Sequence, residues 1–303
     1  MRVVAALGGN ALLERSEKPD ADIQEHRVRS AIRALAPIAR DHELVVTHGN
    51  GPQVGVLASE SEKDPALSHP YPFDVLGAQT QGMIGYWLLQ ALENAVPGHD
   101  IVAMLSQTLV DAGDPAFADP TKFVGPLLDE RTAERVAGER GWDVRRDEQG
   151  WRRVVPSPEP LEVVELEPVR ALLANGSVVV CSGGGGIPVV RGADGRLRGV
   201  EAVIDKDLTA ALLAERIGAD ALLILTDVAS VEMRHGTPDA RPIGRATVDE
   251  LRALSFPAGS MGPKVEAACR FVSATGDHAA IGRLEDAELL LAGKAGTTVV
   301  AAA

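Results

Sequence analysis

The residues best suited to chemistry in this sequence are three lysines that stand beside glycine, proline or aspartate. Lys122 closes an Asp-Pro-Thr-Lys segment, Lys206 lies between two aspartates, and Lys264 follows a Gly-Pro pair. Such neighbours are typical of loops and helix starts rather than of a solvated helix face. Because phosphoryl transfer depends mainly on positioning and charge neutralisation, a few lysines gathered in one place predict a phosphate site.

The neighbouring residues support a phosphate-binding role for the three lysines to different degrees. Lys264 lies in the first turn of a helix predicted to start at Pro263, where the helix dipole disfavours a cation unless an anion is bound as well. Lys206 precedes a predicted helix over Leu208–Ile217, and a solvated surface charge is the alternative explanation for it. By cap preferences alone, Asp207 is better explained as an ordinary N-cap. Spacing assigns no role to Lys122.

Glycine-rich segments follow three predicted strands. They are Gly8-Gly9-Asn10, Gly49-Asn50-Gly51 and Gly183–Gly186. Glycine lets backbone N–H groups approach an anion closely, and the carboxyl edge of a parallel sheet is where α/β proteins bind ligands. The three segments together therefore predict an anion site at one sheet edge.

Familiar fingerprints of other site types do not fit. The segment Gly259–Val265 has proline before its lysine and valine after it, so it is not a P-loop, and the other glycine segments lack dinucleotide-fold spacing. The sequence has no His-Glu-x-x-His, Cys-x-x-Cys or Gly-x-Ser-x-Gly motif, which disfavours protein-held zinc and serine hydrolase chemistry. His48 and His278 flank apolar strands and fit hydrogen-bonded structural histidines, so direct in-line transfer is favoured over a phosphoenzyme.

Short apolar runs alternate with helical patterns, which predicts an α/β fold with a mainly parallel sheet. The predicted strands are Val3–Leu7, Leu44–His48, Ile101–Gln107, Ser177–Cys181, Ala221–Thr226, Ala279–Ile281 and Thr298–Val300. A helix through Val28 and Ala39 should end or kink at Pro37. Another helix contains Gly82 and Gly85, where close packing against a loop or a subunit is expected, and the helix from Pro263 should end at Gly276.

Residues Asp111 to Pro160 interrupt this alternation with several prolines, a charged helix around Asp129–Arg140 and a polar stretch that carries two tryptophans. The pattern predicts a protruding insert built from a helix and a hairpin. Trp142 and Trp151 should pack a small core of its own, and Arg152-Arg153 fits exposed hairpin charges. This segment is called the insert below.

Composition limits the kinds of partner. The chain has 303 residues, and 43 acidic minus 30 basic residues give a net charge of −13, which disfavours nucleic acid and anionic membranes. No apolar run reaches the ~18–20 residues of a membrane span, and Gly8 ends the opening apolar run too early for a signal peptide. Cys181 and Cys269 show no metal or redox spacing. We therefore expect a reduced, cytoplasmic enzyme.

Taken together, nine segments resemble the carbamate kinases of the amino acid kinase superfamily, in the family's order and over nearly the whole chain. They are Ala6–Leu12, Thr47–Gly55, Gln81–Tyr86, Asp114–Lys122, Gly150–Val155, Ser182–Pro188, Gly199–Asp207, Ile224–Val228 and Ala258–Ala268. The resemblance implies a three-layer αβα sandwich with a mainly parallel sheet and a protruding subdomain at about residues 111–160. It also implies a homodimer, an N-terminal lobe over residues 1–175 for carbamate or carbamoyl phosphate, and a nucleotide lobe over residues 176–303.

The resemblance also implies the reversible reaction of ATP and carbamate to give ADP and carbamoyl phosphate. The residues implied to hold carbamoyl phosphate are Gly8, Gly9, Asn10, Gly49, Asn50 and Gly51. Those implied near the nucleotide are Lys206, Thr226, Asp227, Met261, Gly262 and Lys264. Lys206 and Lys264 would contact the phosphates, Asp207 would orient them, and Lys122 would supply the cation that sibling kinases carry in their first loop. Mg²⁺ would arrive on the nucleotide.

The implied role is ATP synthesis in the breakdown of arginine or of purine derivatives. Three alternatives stay open at this point. Another kinase of the same superfamily, such as an acetylglutamate-kinase-like enzyme, is disfavoured by Gly8-Gly9 where it would carry lysine. A non-catalytic nucleotide-binding or storage protein is disfavoured by the three intact lysines. A nicotinamide-dependent dehydrogenase fails on its glycine spacing.

Overall fold

The computed structural model describes residues 1–14, 17–147, 150–256 and 259–302. Ala258, the first residue of the last family segment, lies outside them. The strands are β1 (Arg2–Leu7), β2 (Glu43–His48), β3 (Ile101–Ala103), β4 (Gln107–Leu109), β5 (Lys122–Leu128), β6 (Val144–Arg146), β7 (Trp151–Val155), β8 (Glu162–Val163), β9 (Val178–Val180), β10 (Ile187–Arg191), β11 (Leu197–Gly199), β12 (Ala221–Thr226), β13 (Glu232–Met233), β14 (Arg241–Pro242), β15 (Arg245–Thr247), β16 (His278–Arg283) and β17 (Thr297–Val300). The helices are α1 (Ala21–Asp41), α2 (Gly51–Lys63), α3 (Phe73–Ala95), α4 (Glu130–Arg140), α5 (Leu166–Ala174), α6 (Lys206–Ile217), α7 (Val248–Arg252), α8 (Met261–Thr275) and α9 (Ala287–Leu291).

The centre of the molecule is an eight-stranded sheet in the order β15-β17-β16-β12-β1-β2-β9-β3. Six neighbouring strands, from β16 to β3, run parallel, and β17 pairs antiparallel with β16. The prediction of a mainly parallel sheet is confirmed. Strands from both halves of the chain share this one sheet, and the division into lobes at residues 175 and 176 stays a prediction.

Helices cover both faces of the sheet. Along β1, Val4 and Ala6 join an apolar core under α6 and α8, whereas Val3 and Ala5 join a second core under α1 and α3. Successive side chains of a strand point to opposite faces, so a strand buried on both sides is apolar throughout. This explains why the strands could be found as continuous apolar runs, and it gives the expected three-layer αβα sandwich.

The predicted strand Ile101–Gln107 is wrong as a single element. The chain leaves the large sheet after β3 and enters a second sheet at β4, whose order is β11-β10-β4-β8. The break lies at Ser106, where the side chain of Gln81 accepts a hydrogen bond from the Ser106 amide and donates one to the Ser106 carbonyl. A buried side chain thus takes the place of a neighbouring strand.

Three helix predictions need correction. Helix α1 continues past Pro37 to Asp41, so the proline does not end it. Helix α8 begins at Met261, two residues before Pro263, and ends as predicted at Gly276 with a φ of 79°. In α3, Gly85 packs against the Cβ of Ala103, whereas a Cβ added to Gly82 would meet no described atom within 4 Å. Packing of Gly82 against a loop is therefore wrong, and its packing against a second subunit stays a prediction.

The insert contains the expected helix and strands, with α4 beside a three-stranded sheet in the order β5-β7-β6. The insert does not form a separate apolar core, because Val124 and Val155 pack with residues of α2 and α3 in one cluster. Trp142 lies in contact with the guanidinium groups of Arg140 and Arg153 instead of in an apolar core. Arg153 is largely buried, contrary to the prediction of an exposed charge.

No helix within the described ranges is both long enough and apolar enough to cross a membrane. Cys181 and Cys269 are free and buried, and burial raises the pKa of their thiols to about 12 and about 11. Such thiols stay protonated and poorly reactive at neutral pH. The lack of a disulfide agrees with the cysteine spacing.

Candidate active site

The predicted site residues meet at the carboxyl edge of the large sheet, because they follow strands that are neighbours in it. Gly8 follows β1, Gly49 follows β2, and Asp227 follows β12. A Cβ added to Gly49 would lie 2.8 Å from the Gly9 nitrogen and 3.3 Å from Cδ of Lys206. The first two glycine loops and Lys206 are therefore in direct contact.

Lys206 and Lys264 share one carboxylate. The Nζ of Lys206 lies 2.5 Å from Oδ1 of Asp207, and the Nζ of Lys264 lies 2.9 Å from Oδ2. Asp207 is buried, and both lysine side chains are more than four-fifths buried. The group, called the lysine pair below, carries one net positive charge at the start of α6 and α8.

The electrostatics of the lysine pair depend on Asp207. Burial by itself would raise the pKa of the Asp207 carboxyl, but the two ammonium groups outweigh it and hold the pKa at about 2. Burial lowers the pKa of Lys206 and nearby Lys264 lowers it further, while Asp207 opposes both. Asp207 therefore keeps two cations close together that would otherwise repel each other.

The N-cap of α6 is Asp205 and not Asp207, which corrects the expectation from cap preferences. The Asp205 side chain accepts from the amides of Asp207 and Leu208. Since Asp205 satisfies these free amides of the first turn, the carboxylate of Asp207 is available for the lysines. The other oxygen of Asp205 lies 3.0 Å from Nζ of Lys122, which brings the insert's lysine to the same helix start.

The glycine loops differ in what they can offer a ligand. The amides of Gly8 and Gly49 donate to the carbonyls of Leu225 and Leu7, so these two N–H groups are already used. Gly9 and Asn10 are partly exposed, and Gly51 is exposed at the first turn of α2. Hydrogen-bond donors for an anion therefore come from Gly9, Asn10 and the start of α2.

Segment Gly183–Gly186 is a buried packing element rather than an open anion cradle, which corrects the sequence-based prediction. A Cβ on Gly183 would lie 2.3 Å from Nε2 of His48, and one on Gly184 would lie 2.3 Å from Nδ2 of Asn50. Gly184, Gly185 and Gly186 also have φ values between 66° and 91°, which strongly favour glycine. The segment supports the second glycine loop from behind.

Several polar side chains hold the glycine loops in place, and no spacing pattern in the sequence indicates them. The Thr80 hydroxyl accepts a hydrogen bond from the side-chain Nδ2 of Asn50 at 2.9 Å, and the side-chain Nε2 of Gln81 donates to the Gly183 carbonyl at 2.9 Å. Asp227 accepts from Asn10 at 2.8 Å and from Thr226 at 3.1 Å, which ties the first loop to the end of β12. Of the other predicted nucleotide residues, Met261 and Gly262 form the first turn of α8, beside Lys264.

His48 behaves as a structural residue, as predicted. It is buried, its Nδ1 lies 2.9 Å from the Gly49 carbonyl, and it therefore donates from Nδ1. Burial lowers the pKa of the imidazole to about 4. Under neutral conditions the ring is uncharged, and it is covered by Gly183.

We predict that His48 makes the protein sensitive to mild acid. Between pH 6.5 and 4 the unfolded chain binds a proton at His48 that the folded protein does not, so stability falls as the pH falls. Relative to His48→Asn, the wild type should lose about 2 kcal/mol of unfolding free energy between pH 7 and 5. Urea unfolding at both pH values measures this, and parallel pH dependences in the two proteins would contradict it.

Comparison with known proteins identifies the architecture. The model of the amino acid kinase family matches residues 1–282. A carbamate kinase of Rhizobium meliloti is 50% identical over 99% of this chain and 93% of its own length, and one of Pyrococcus furiosus is 48% identical over 99% of both. A structure of Giardia lamblia carbamate kinase bound to AMP-PNP has a TM-score of 0.92 at 42% identity, over 99% of this chain and 98% of that one. An N-acetylglutamate synthase of Neisseria gonorrhoeae, 14% identical with a TM-score of 0.58, shares the fold over 62% of its length. The chain belongs to the amino acid kinase family, in the branch that contains the carbamate kinases.

Proposed function

We propose that this protein is a carbamate kinase that transfers a phosphoryl group reversibly between ATP and carbamate, giving ADP and carbamoyl phosphate. One observation carries the proposal: Lys206 and Lys264 meet on one buried carboxylate beside two glycine loops. This arrangement lies in a chain that is similar to carbamate kinases from end to end. ATP and carbamate are thus the proposed substrates in one direction.

The proposed chemistry is neutralisation of the negative charge on the phosphoryl group while it is transferred. Lys206 and Lys264 extend from the starts of two helices, and their ammonium groups meet at Asp207. Asp207 keeps both ammonium groups in place, so little reorganisation is needed when negative charge moves between donor and acceptor oxygens. In this proposal Gly9, Asn10 and Gly51 hold the carbamoyl side, and Thr226, Asp227, Met261 and Gly262 lie at the nucleotide side.

Mg²⁺ is proposed to enter with the nucleotide. Within the described ranges no group of three potential ligands from histidine, cysteine, aspartate and glutamate is gathered. The carboxylates of Asp205 and Asp207 are engaged by lysines and backbone amides, and Asp227 by Asn10 and Thr226. This donor set fits a metal held mainly by phosphate oxygens and water, and such a metal would neutralise phosphate charge.

A homodimer is part of the proposal. Helix α3 presents Val75, Gly82 and Tyr86 to solvent at spacings of seven and four residues, and therefore on one helix face. Tyr86 is 57% exposed. An exposed face with a small residue at its centre suits a second copy of the chain. A sedimentation mass of one chain at micromolar concentration would contradict this part. A cytoplasmic location and a role in arginine or purine-derivative breakdown stay predictions.

Two rival functions are disfavoured by particular residues. An acetylglutamate-kinase-like enzyme would carry its cation in the first loop, where this chain has Gly8-Gly9, and the cation here is Lys122. A non-catalytic storage protein has no use for the lysine pair, which costs desolvation of three charges. The test is a coupled assay in which hexokinase and glucose-6-phosphate dehydrogenase report ATP formed from ADP and carbamoyl phosphate. Absence of ATP formation with Mg²⁺ present would overturn the proposal.

We predict that Lys264 acts mainly in the transition state. Lys264→Ala should lower kcat by about 10²-fold or more, because a preorganised charge donor is lost while most nucleotide contacts remain. Lys294→Ala removes an exposed lysine elsewhere and is the matched control. Steady-state kinetics in the coupled assay give both constants. A variant with a raised KM and an unchanged kcat would mean that Lys264 only binds nucleotide.

We predict that Lys122 serves catalysis rather than nucleotide binding. Its ammonium group lies at the start of α6 but comes from the insert, so Lys122→Ala should reduce kcat at least tenfold and leave ADP affinity within about twofold. Arg146→Ala, an exposed cation of the same insert, should behave as wild type. Turnover and calorimetric ADP binding measure the two effects. Near-normal turnover in Lys122→Ala would exclude the assignment.

A further inference from the structure

Glu201 joins three parts of the protein that carry the candidate active site. Its Oε1 accepts a hydrogen bond from Nη2 of Arg153 in the insert at 2.6 Å. Its Oε2 accepts from the backbone amide of Phe73, the first residue of α3, at 2.8 Å. Glu201 itself lies five residues before Lys206 on the segment that leads into α6. One carboxylate therefore connects the insert, the helix with Thr80 and Gln81, and the approach to the lysine pair.

Arg153 is held much more firmly than an ordinary surface arginine. Its guanidinium carbon lies 3.9 Å from the ring centre of Trp142 and 5.0 Å from that of Phe73. Its side chain is only 15% exposed, and burial lowers its pKa, although Glu201 opposes that shift. A desolvated guanidinium between two aromatic rings and a carboxylate is a strong and directional contact.

The strand register places Arg153 on the same face of the insert as Lys122. In the antiparallel pair of β5 and β7, Val124 lies opposite Arg153 and Lys122 lies opposite Val155. Residues directly opposite one another share a sheet face, as do residues two apart along a strand. Val124 and Val155 on this face pack onto α2 and α3, so the same face docks the insert and presents its lysine.

The apolar contact between this face and the body is not completely filled. A cavity of about 110 Å³ lies between it and the body, beside Arg153, Trp142 and Phe73. At the cavity, Arg140 of the insert lies 3.4 Å from Glu62 of α2. Away from the cavity, the amide of Val203 donates to the carbonyl of Pro156. Because apolar packing does not fill this interface, it does not fix the orientation of the insert by itself. Polar contacts must therefore help to set that orientation.

We propose that Arg153 and Glu201 form a positioning pair that sets the location of Lys122 at the site of phosphoryl transfer. The inference rests on the proposed function, because it assigns a task to Lys122. Arg153 does not touch the reacting groups in this account. It fixes β7, β7 fixes β5 through its ladder, and β5 carries Lys122 to Asp205 at the start of α6.

The test is a double-mutant cycle in the coupled assay. Arg153→Gln should lower kcat at least fivefold with ADP affinity within about twofold, and it should have no further effect when added to Lys122→Ala. The matched control is Arg152→Gln, which removes the same charge from the opposite strand face, where Arg152 contacts the Gly125 carbonyl within the insert. It should stay within twofold of wild type.

Each other outcome has a defined meaning. Normal turnover of Arg153→Gln overturns the positioning pair, while a loss in Lys122→Ala leaves the proposed function standing. If Arg153→Gln lowers kcat by the same factor in the wild type and in Lys122→Ala, then Arg153 acts on the fold as a whole. That result also overturns the positioning pair. If Arg153→Gln does not fold, Arg153→Lys takes its place in the cycle, because it keeps the charge but loses the planar contact with the two rings.

A second measurement does not depend on activity. The rate at which an amine-reactive ester labels Lys122 in the full chain, followed by mass spectrometry, should rise at least threefold in Arg153→Gln and not in Arg152→Gln. Lys294 in the same sample serves as the internal reference. An unchanged labelling rate would overturn the positioning of Lys122, even if the wild-type protein formed no ATP.

Discussion

The candidate site depends on one constraint: two ammonium groups from different helices must lie next to one buried carboxylate. Removing the carboxylate would leave two buried ammonium groups without a counter-charge, and removing both lysines would leave a buried carboxylate without one. Helix α6 can meet the constraint because Asp205 caps it and leaves Asp207 free. Helix α8 begins at Met261, which places Lys264 in its first turn, in contact with the same carboxylate. The starts of α6 and α8 are therefore placed so that the side chains of Lys206, Asp207 and Lys264 meet.

Close backbone approach is the second requirement, and it explains the distribution of glycine. Gly49 allows the second loop to touch the first, and Gly183 and Gly184 leave room for His48 and Asn50. The glycines thus act in two layers. A buried layer of Gly183 and Gly184 holds the side chains of His48 and Asn50, and the more exposed Gly9 and Gly51 lie outside it. His48 is neutral where it packs against this layer, because a charged ring there would be far more costly to bury.

Sequence reasoning identified the sheet, the insert and the residues that gather at the sheet edge, because apolar runs and glycine-rich strand ends are local signals. It failed where a side chain from elsewhere decides. Asp205 and Asp207 both fit an N-cap, and only the register of the first turn separates them. The interruption at Ser106 depends on Gln81, and the burial of Gly183 depends on His48. Arg153 looked like a solvated charge because the rings that enclose it lie in α3 and beside α4.

The continuity of the central sheet limits how substrates enter and leave. The early strands β1 and β2 lie between the later strands β12 and β9, and the four form one ladder of hydrogen bonds. A hinge that separated the two halves would have to break that ladder within a buried core. Opening for exchange of nucleotide and product must therefore come from elements outside the sheet. The insert lies outside that sheet and brings Lys122 to the start of α6, so a displacement of the insert would leave the ladder intact.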